Sequence, residues 1–162
     1  MILCLNEWEF DIDIQRTMEY SAAEAAEHCS CAYCRNFYSA IDTHYPSLRP
    51  FLSQFGLDIE APEEQMPYDH QGHMIYDSTY LVYGKTIKMG QGSIVVDNIE
   101  VFFASALTDR AEDCFTLSFD ATIPWVLSEP MEETVSPANE PFFLKKMWDT
   151  LLMRFQKSDF ES

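Results

Sequence analysis

Residues 114 to 123, CFTLSFDATI, alternate between apolar and polar side chains without a break. Phe115, Leu117, Phe119, Ala121 and Ile123 fall on one side, and Thr116, Ser118, Asp120 and Thr122 on the other. Successive strand side chains point to opposite faces, so this segment makes a strand with one covered and one hydrated face. Such a strand belongs to an antiparallel sheet, because parallel strands are buried on both faces. WEFDIDI, residues 8 to 14, repeats the pattern: Trp8, Phe10, Ile12 and Ile14 against Glu9, Asp11 and Asp13. HMIYDSTYLVYG, from His73, is aromatic and β-branched, and GQG at 90 to 92 predicts a hairpin turn before SIVVDNIEVFFASAL.

Helices fall between these strands. Ser21 followed by Glu24 reads as a capping box that starts a short helix over 22 to 28. A second helix begins near Cys31, with Phe37, Ala40, Ile41 and His44 on one side and Pro46 as its stop. Ser47 caps a third, with Phe51, Leu52 and Phe55 apolar and Gly56 as a left-handed end. The acidic, proline-containing stretch 57 to 69 and the stretch 128 to 141 read as loops. Leu144, Met147, Trp148, Leu151, Leu152 and Phe155 sit at helical spacing and predict a final helix over 143 to 157. The expected fold is a single α+β domain over 1 to 162. Its sheet has five or six antiparallel strands, mainly from 73 to 127 plus an N-terminal strand. The cysteine-containing helical segment 21 to 56 and the final helix pack on one face.

At 162 residues the chain buries roughly 70% of its unfolded surface and needs no staples. Twelve Phe, eight Tyr and three Trp supply a packed core or an aromatic-lined pocket. The net charge of -17 opposes nucleic acid and anionic membranes, and favours a cation or a basic protein partner. No apolar stretch approaches the roughly 20 residues of a membrane helix, and the N-terminal MILCL is not a secretory signal. Five cysteines, an odd number in a chain of this size, imply free thiols and a reducing, cytoplasmic setting.

The chemistry concentrates in AEHCSCAYCRNF, residues 25 to 36, where His28, Cys29, Cys31 and Cys34 lie within seven positions. Zinc takes four Cys or His ligands. Cys31 and Cys34 form one C-x-x-C knuckle, and no second cysteine knuckle exists. Cys29 and His28 are the nearest additional ligands, and His70 and His73 of HQGH are alternatives. A redox pair is a second reading: a helix start and Arg35 would stabilise a thiolate, while the global acidity opposes it. A third is a nucleophilic thiol with a histidine and Asn36. Against all three stands simple packing, since cysteine is among the most buried residue types, and Cys4 and Cys114 read as such filler. Asp69, His70, His73 and Asp77 suggest a weaker mixed site, and Glu9, Asp11 and Asp13 read as the wet side of a strand. No Gly-rich phosphate loop, G-x-S-x-G or H-E-x-x-H occurs.

The segments CSCAYCRNFYSAI, YPSLRPFLSQFGLDIEAPEE and FDATIPWVL resemble a family of uncharacterised bacterial proteins with a C-x-C-x-x-C-x-N-F segment and a later P-W-V-L segment. The resemblance covers residues 28 to 64 and 117 to 127, and rests on Cys29, Cys31, Cys34, Asn36, Phe37, Pro124 and Trp125. It implies an α+β domain of bacterial, cytoplasmic origin and no particular activity. The sequence thus favours a non-enzymatic binding or interaction protein whose C-x-C-x-x-C segment is structural, with zinc as the ion it could hold. Its rival is a metal- or thiol-dependent enzyme using Cys31 and Cys34 with a nearby histidine.

Overall fold

A computed structural model describes residues 1–70, 73–105 and 113–131. Its elements run β1 Ile2–Leu5, β2 Trp8–Ile12, α1 Ile14–Ala26, α2 Ala32–His44, α3 Leu48–Ser53, β3 Glu64–His70, β4 His73–Lys88, β5 Ile94–Val96, β6 Ile99–Ser105 and β7 Cys114–Ile123. The fold is α+β, as expected, with every strand pairing antiparallel. The strand order is β1-β2-β4-β7-β6-β5, and β3 also pairs with β4. Among the described residues the sheet has seven strands.

β4 is the organising strand. Its sixteen residues are long enough to carry β7 on one edge and two partners on the other. β3 takes the half from His73 to Thr79, and β2 the end from Gly84 to Lys88. Between them the edge would leave backbone groups unpaired, which is costly when buried. The start of α1 satisfies them at Tyr83. The Asp13 N–H donates to the Tyr83 carbonyl at 2.9 Å, and the Tyr83 N–H donates to Thr17 Oγ1 at 3.1 Å. Thr17, fully buried, donates in turn to the Asp13 carbonyl at 2.9 Å.

The alternation in β7 is realised in full: Phe115, Leu117, Phe119, Ala121 and Ile123 are all buried. With Met74, Tyr76, Tyr80 and Val82 of β4 they form one face of the sheet. Phe37, Ala40 and Ile41 of α2 and Leu48, Phe51 and Leu52 of α3 join them in the core, with Phe55 and Ile59 following. Each large aliphatic or Phe side chain among them contributes about 1.5–3 kcal/mol on leaving water. The two fully buried tyrosines keep their hydroxyls satisfied: Tyr80 donates to the Ile59 carbonyl at 2.7 Å and Tyr76 to the Tyr33 carbonyl at 2.9 Å.

Several expectations are corrected. The strand predicted over 8 to 14 ends at Ile12, because the Asp13 carboxylate accepts from the Arg16 N–H at 3.1 Å and caps α1. Helix α1 therefore starts well before the Ser21–Glu24 box. Ser21 lies inside the helix, buried, its Oγ accepting from the Asp58 N–H at 2.8 Å. His44, predicted on the apolar side of α2, is exposed. From Glu64 the acidic loop becomes strand β3, and Pro67 is tolerated there because that strand has one ladder partner. GQG does not close a hairpin, since β4 and β5 are not neighbours. The tight turn is Asp97–Asn98 between β5 and β6, with φ of 49° and 68°, as a two-residue hairpin requires. The predicted helix over 143 to 157 lies outside the described residues. No helix among the described residues is long and apolar enough to cross a membrane.

Candidate metal centre

Helix α1 stops at Ala26, and α2 begins five residues after Glu27. The short connection carries the thiols. Cys31 is the N-cap residue of α2, extended at φ -65° and ψ 163°, and its carbonyl accepts from the Arg35 N–H at 3.0 Å. Cys34 lies one turn further along, and residues three apart on a helix start face the same way. Cys29 is folded back onto them: the Cys31 N–H donates to Cys29 Sγ at 3.5 Å. Arg35 Nε fixes the connection by donating to the Ser30 carbonyl at 3.0 Å. As a result the three sulfurs lie within 4.8 Å of one another, a group that can hold a metal ion.

Two of the three thiols are exposed and one is buried. Cys29 and Cys31 are open to solvent, while Cys34 is buried. Filler packing therefore does not account for Cys29 and Cys31, nor for Cys4, which is also exposed. Cys114 is half-buried. The Cys31 amide and the neighbouring thiols stabilise a Cys29 thiolate and lower its pKa. Burial, then the proximity of the other two sulfurs, raises that of Cys34. Such a contrast is expected where thiols crowd, because like charges cannot all form without a cation between them.

The sulfurs open onto a cleft of about 320 Å³ whose lining includes Glu24, Glu27, His28, Tyr38, Glu60 and Glu63. His28 lines this cleft with its ring against that of Tyr38, centroids 5.1 Å apart, and is not part of the sulfur group. His70 and His73 face each other across the β3–β4 pairing, and the group holds neither. The carboxylate rim was not foreseen from the sequence. Glu60 and Glu63 belong to the acidic stretch read as a loop, and only the docking of that stretch beside α1 brings them to the thiols. The Tyr20 hydroxyl donates to the Glu63 carboxylate, and Arg49 pairs with Glu60 at 3.2 Å. Burial, followed by the Glu63 interaction, raises the Tyr20 pKa; burial and the cysteine sulfurs raise that of Tyr38.

The first turn of α2 is anchored from behind. Asn36 is fully buried, and its Nδ2 donates to the Tyr76 hydroxyl at 3.0 Å and to the Pro124 carbonyl at 3.1 Å. Its Oδ1 accepts from the Val126 N–H at 2.7 Å. The Tyr33 ring meets Trp125 edge-on at 5.7 Å, and Arg35 pairs with Glu129. The cysteine segment and the P-W-V-L segment, 88 positions apart at Asn36 and Pro124, are thus one structural unit.

Fold and site together define an α+β protein with a three-cysteine cluster at a helix start, able to hold a metal ion. No family model, no curated protein and no solved structure matches the chain. The resemblance drawn from the cysteine segment accordingly rests on its motif residues alone.

Proposed function

We propose that the chain is a non-enzymatic binding protein in which Cys29, Cys31 and Cys34 hold one zinc ion that ties the α1–α2 connection to the first turn of α2. The observation that carries this reading is the convergence of three sulfurs within 4.8 Å, two of them exposed. Thiolates select soft or borderline ions such as zinc over calcium or magnesium. The carboxylates around the cleft and the net charge of -17 favour a cation electrostatically. Protein purified without chelator should carry about one zinc per chain by elemental analysis, and Cys34→Ser should lose it while Cys4→Ser retains it. Metal-free protein from zinc-supplemented growth, with no sulfur-to-metal charge-transfer band on adding cobalt(II), would refute it.

The charge also supports a basic protein partner, with free thiols suiting a reducing, cytoplasmic setting. Binding of such a partner should weaken steeply with salt, and a bound set unchanged by salt would count against it. One observation favours a second reading, a thiol-dependent enzyme: Cys29 is exposed and its thiolate is stabilised by the Cys31 amide. The reactive group would then be Cys29 rather than buried Cys34. Under that reading iodoacetamide labels Cys29 of metal-free protein far faster than Cys4; equal rates would dismiss it.

A further inference from the structure

We infer that the ion held by Cys29, Cys31 and Cys34 keeps one coordination position open to the cleft, and that this position takes a small neutral nitrogen ligand of the imidazole class. The inference rests on the metal reading above and extends it from what the protein holds to what the held ion can bind. Zinc and cobalt(II) take four donors at such sites, and a site with three protein ligands leaves the fourth to water or an added ligand. Here three sulfurs gather, and among the described residues no fourth cysteine, histidine or carboxylate atom joins them. His28, the nearest histidine in sequence, has its ring against Tyr38.

Cys34 is buried and Cys29 and Cys31 are exposed, so an ion bound to all three has protein on one side and the cleft on the other. At about 320 Å³ the cleft has room for a five-membered ring. Charge then selects the class of ligand. Three thiolates around a divalent ion leave one net negative charge, and Glu24, Glu27 and Glu63 line the same cleft with no Lys or Arg among the lining residues. An anionic donor would enter against that field. A neutral nitrogen donor would not, and its own N–H would meet carboxylate acceptors.

The test uses the full chain with cobalt(II) in place of zinc. Free imidazole should shift the ligand-field bands to saturation, while azide at the same concentration leaves them unchanged. His28 is exposed, so His28→Ala should fold normally. It should show the same bands as the unmodified protein before ligand is added. Three results overturn the inference while leaving the metal reading intact. One is a charge-transfer band with no response to imidazole. Another is azide binding as well as imidazole. The last is a change of bands in His28→Ala before ligand is added, which would place His28 in the fourth position. Absence of the charge-transfer band defeats both.

Discussion

Replacing Asn36 with alanine tests how the first turn of α2 is held. The side chain is fully buried and makes three hydrogen bonds, to Tyr76, Pro124 and Val126, at 3.0, 3.1 and 2.7 Å. Each intramolecular bond contributes about 1 kcal/mol net, and an orphaned buried group costs about 1–3 kcal/mol. The Tyr76 hydroxyl still donates to Tyr33, so its loss is partial. The Pro124 carbonyl and Val126 N–H lie in partly buried contacts that water can reach in the variant. The expected cost is therefore about 3 kcal/mol, a large part of the roughly 5–15 kcal/mol that holds a domain together. With a urea m-value of about 1.5–2 kcal/mol/M, the midpoint falls by about 1.5–2 M, read by tryptophan fluorescence. Asn36→Asp sharpens the test. A carboxylate cannot donate to Tyr76 or Pro124, and burial would raise its folded pKa above the unfolded value. The folded variant then binds more protons than the unfolded one, so its stability falls as pH rises through that window and recovers as pH drops. A cost for alanine below about 1 kcal/mol, or a pH-independent deficit for aspartate, would refute the anchoring argument.

Gly84→Ala should destabilise by about 3 kcal/mol or more in the same urea assay, because φ is +144° and a Cβ would sit 2.2 Å from the Asp11 carbonyl oxygen. Gly92→Ala, also at positive φ but with nothing within 4 Å, should cost only about 1 kcal/mol. In an alkaline titration followed by ultraviolet absorbance, Tyr76 should ionise only near its value of about 12, with burial the main cause, and Tyr80 should stay neutral until the chain unfolds. Replacing Tyr76 with Phe should remove that late-ionising group. Zinc held by the cluster as proposed should be released as pH falls below about 6, since protons compete for the thiolates, with dialysed protein assayed for metal at each pH.

The legible part of the fold was the part written in single-element periodicity. β7 needs only its own alternation, and the core side of α2 follows from Phe37, Ala40 and Ile41 at helical spacing. Where an element is decided by a distant partner, the pattern misleads. Glu64–His70 is a strand because β4 offers it an edge; its own composition, acidic with a proline, argues for a loop. The start of α1 was hidden for a similar reason. Ile14 continues the alternation begun at Trp8, yet Asp13 is drawn into capping and into the bond with Tyr83, so the helix wins one residue before the strand pattern runs out. Ser21 has the sequence mark of a cap, but its Oγ is spent on Asp58, from a stretch no local window includes.

The candidate site divides along the same line, and the division bears on what the cluster is for. The three cysteines were visible because a hairpin-tight connection and one helical turn bring them together with no help from elsewhere. Much of the apparatus around them was invisible because it is long-range: Tyr76 from β4, Pro124 and Val126 after β7, Glu60 and Glu63 beside α1. Those contacts are also what a thiol cluster used merely as filler would not require. A buried asparagine is tolerated only when its hydrogen bonds are met, and Asn36 meets them by clamping the turn that carries Cys34 to strand β4 and to the segment after β7. A small apolar residue in its place could pack against the core but would leave that turn's position to side-chain packing alone. The fixed turn therefore presents its sulfurs to the cleft already assembled, so an ion bound there as proposed would not bear the entropy of ordering them.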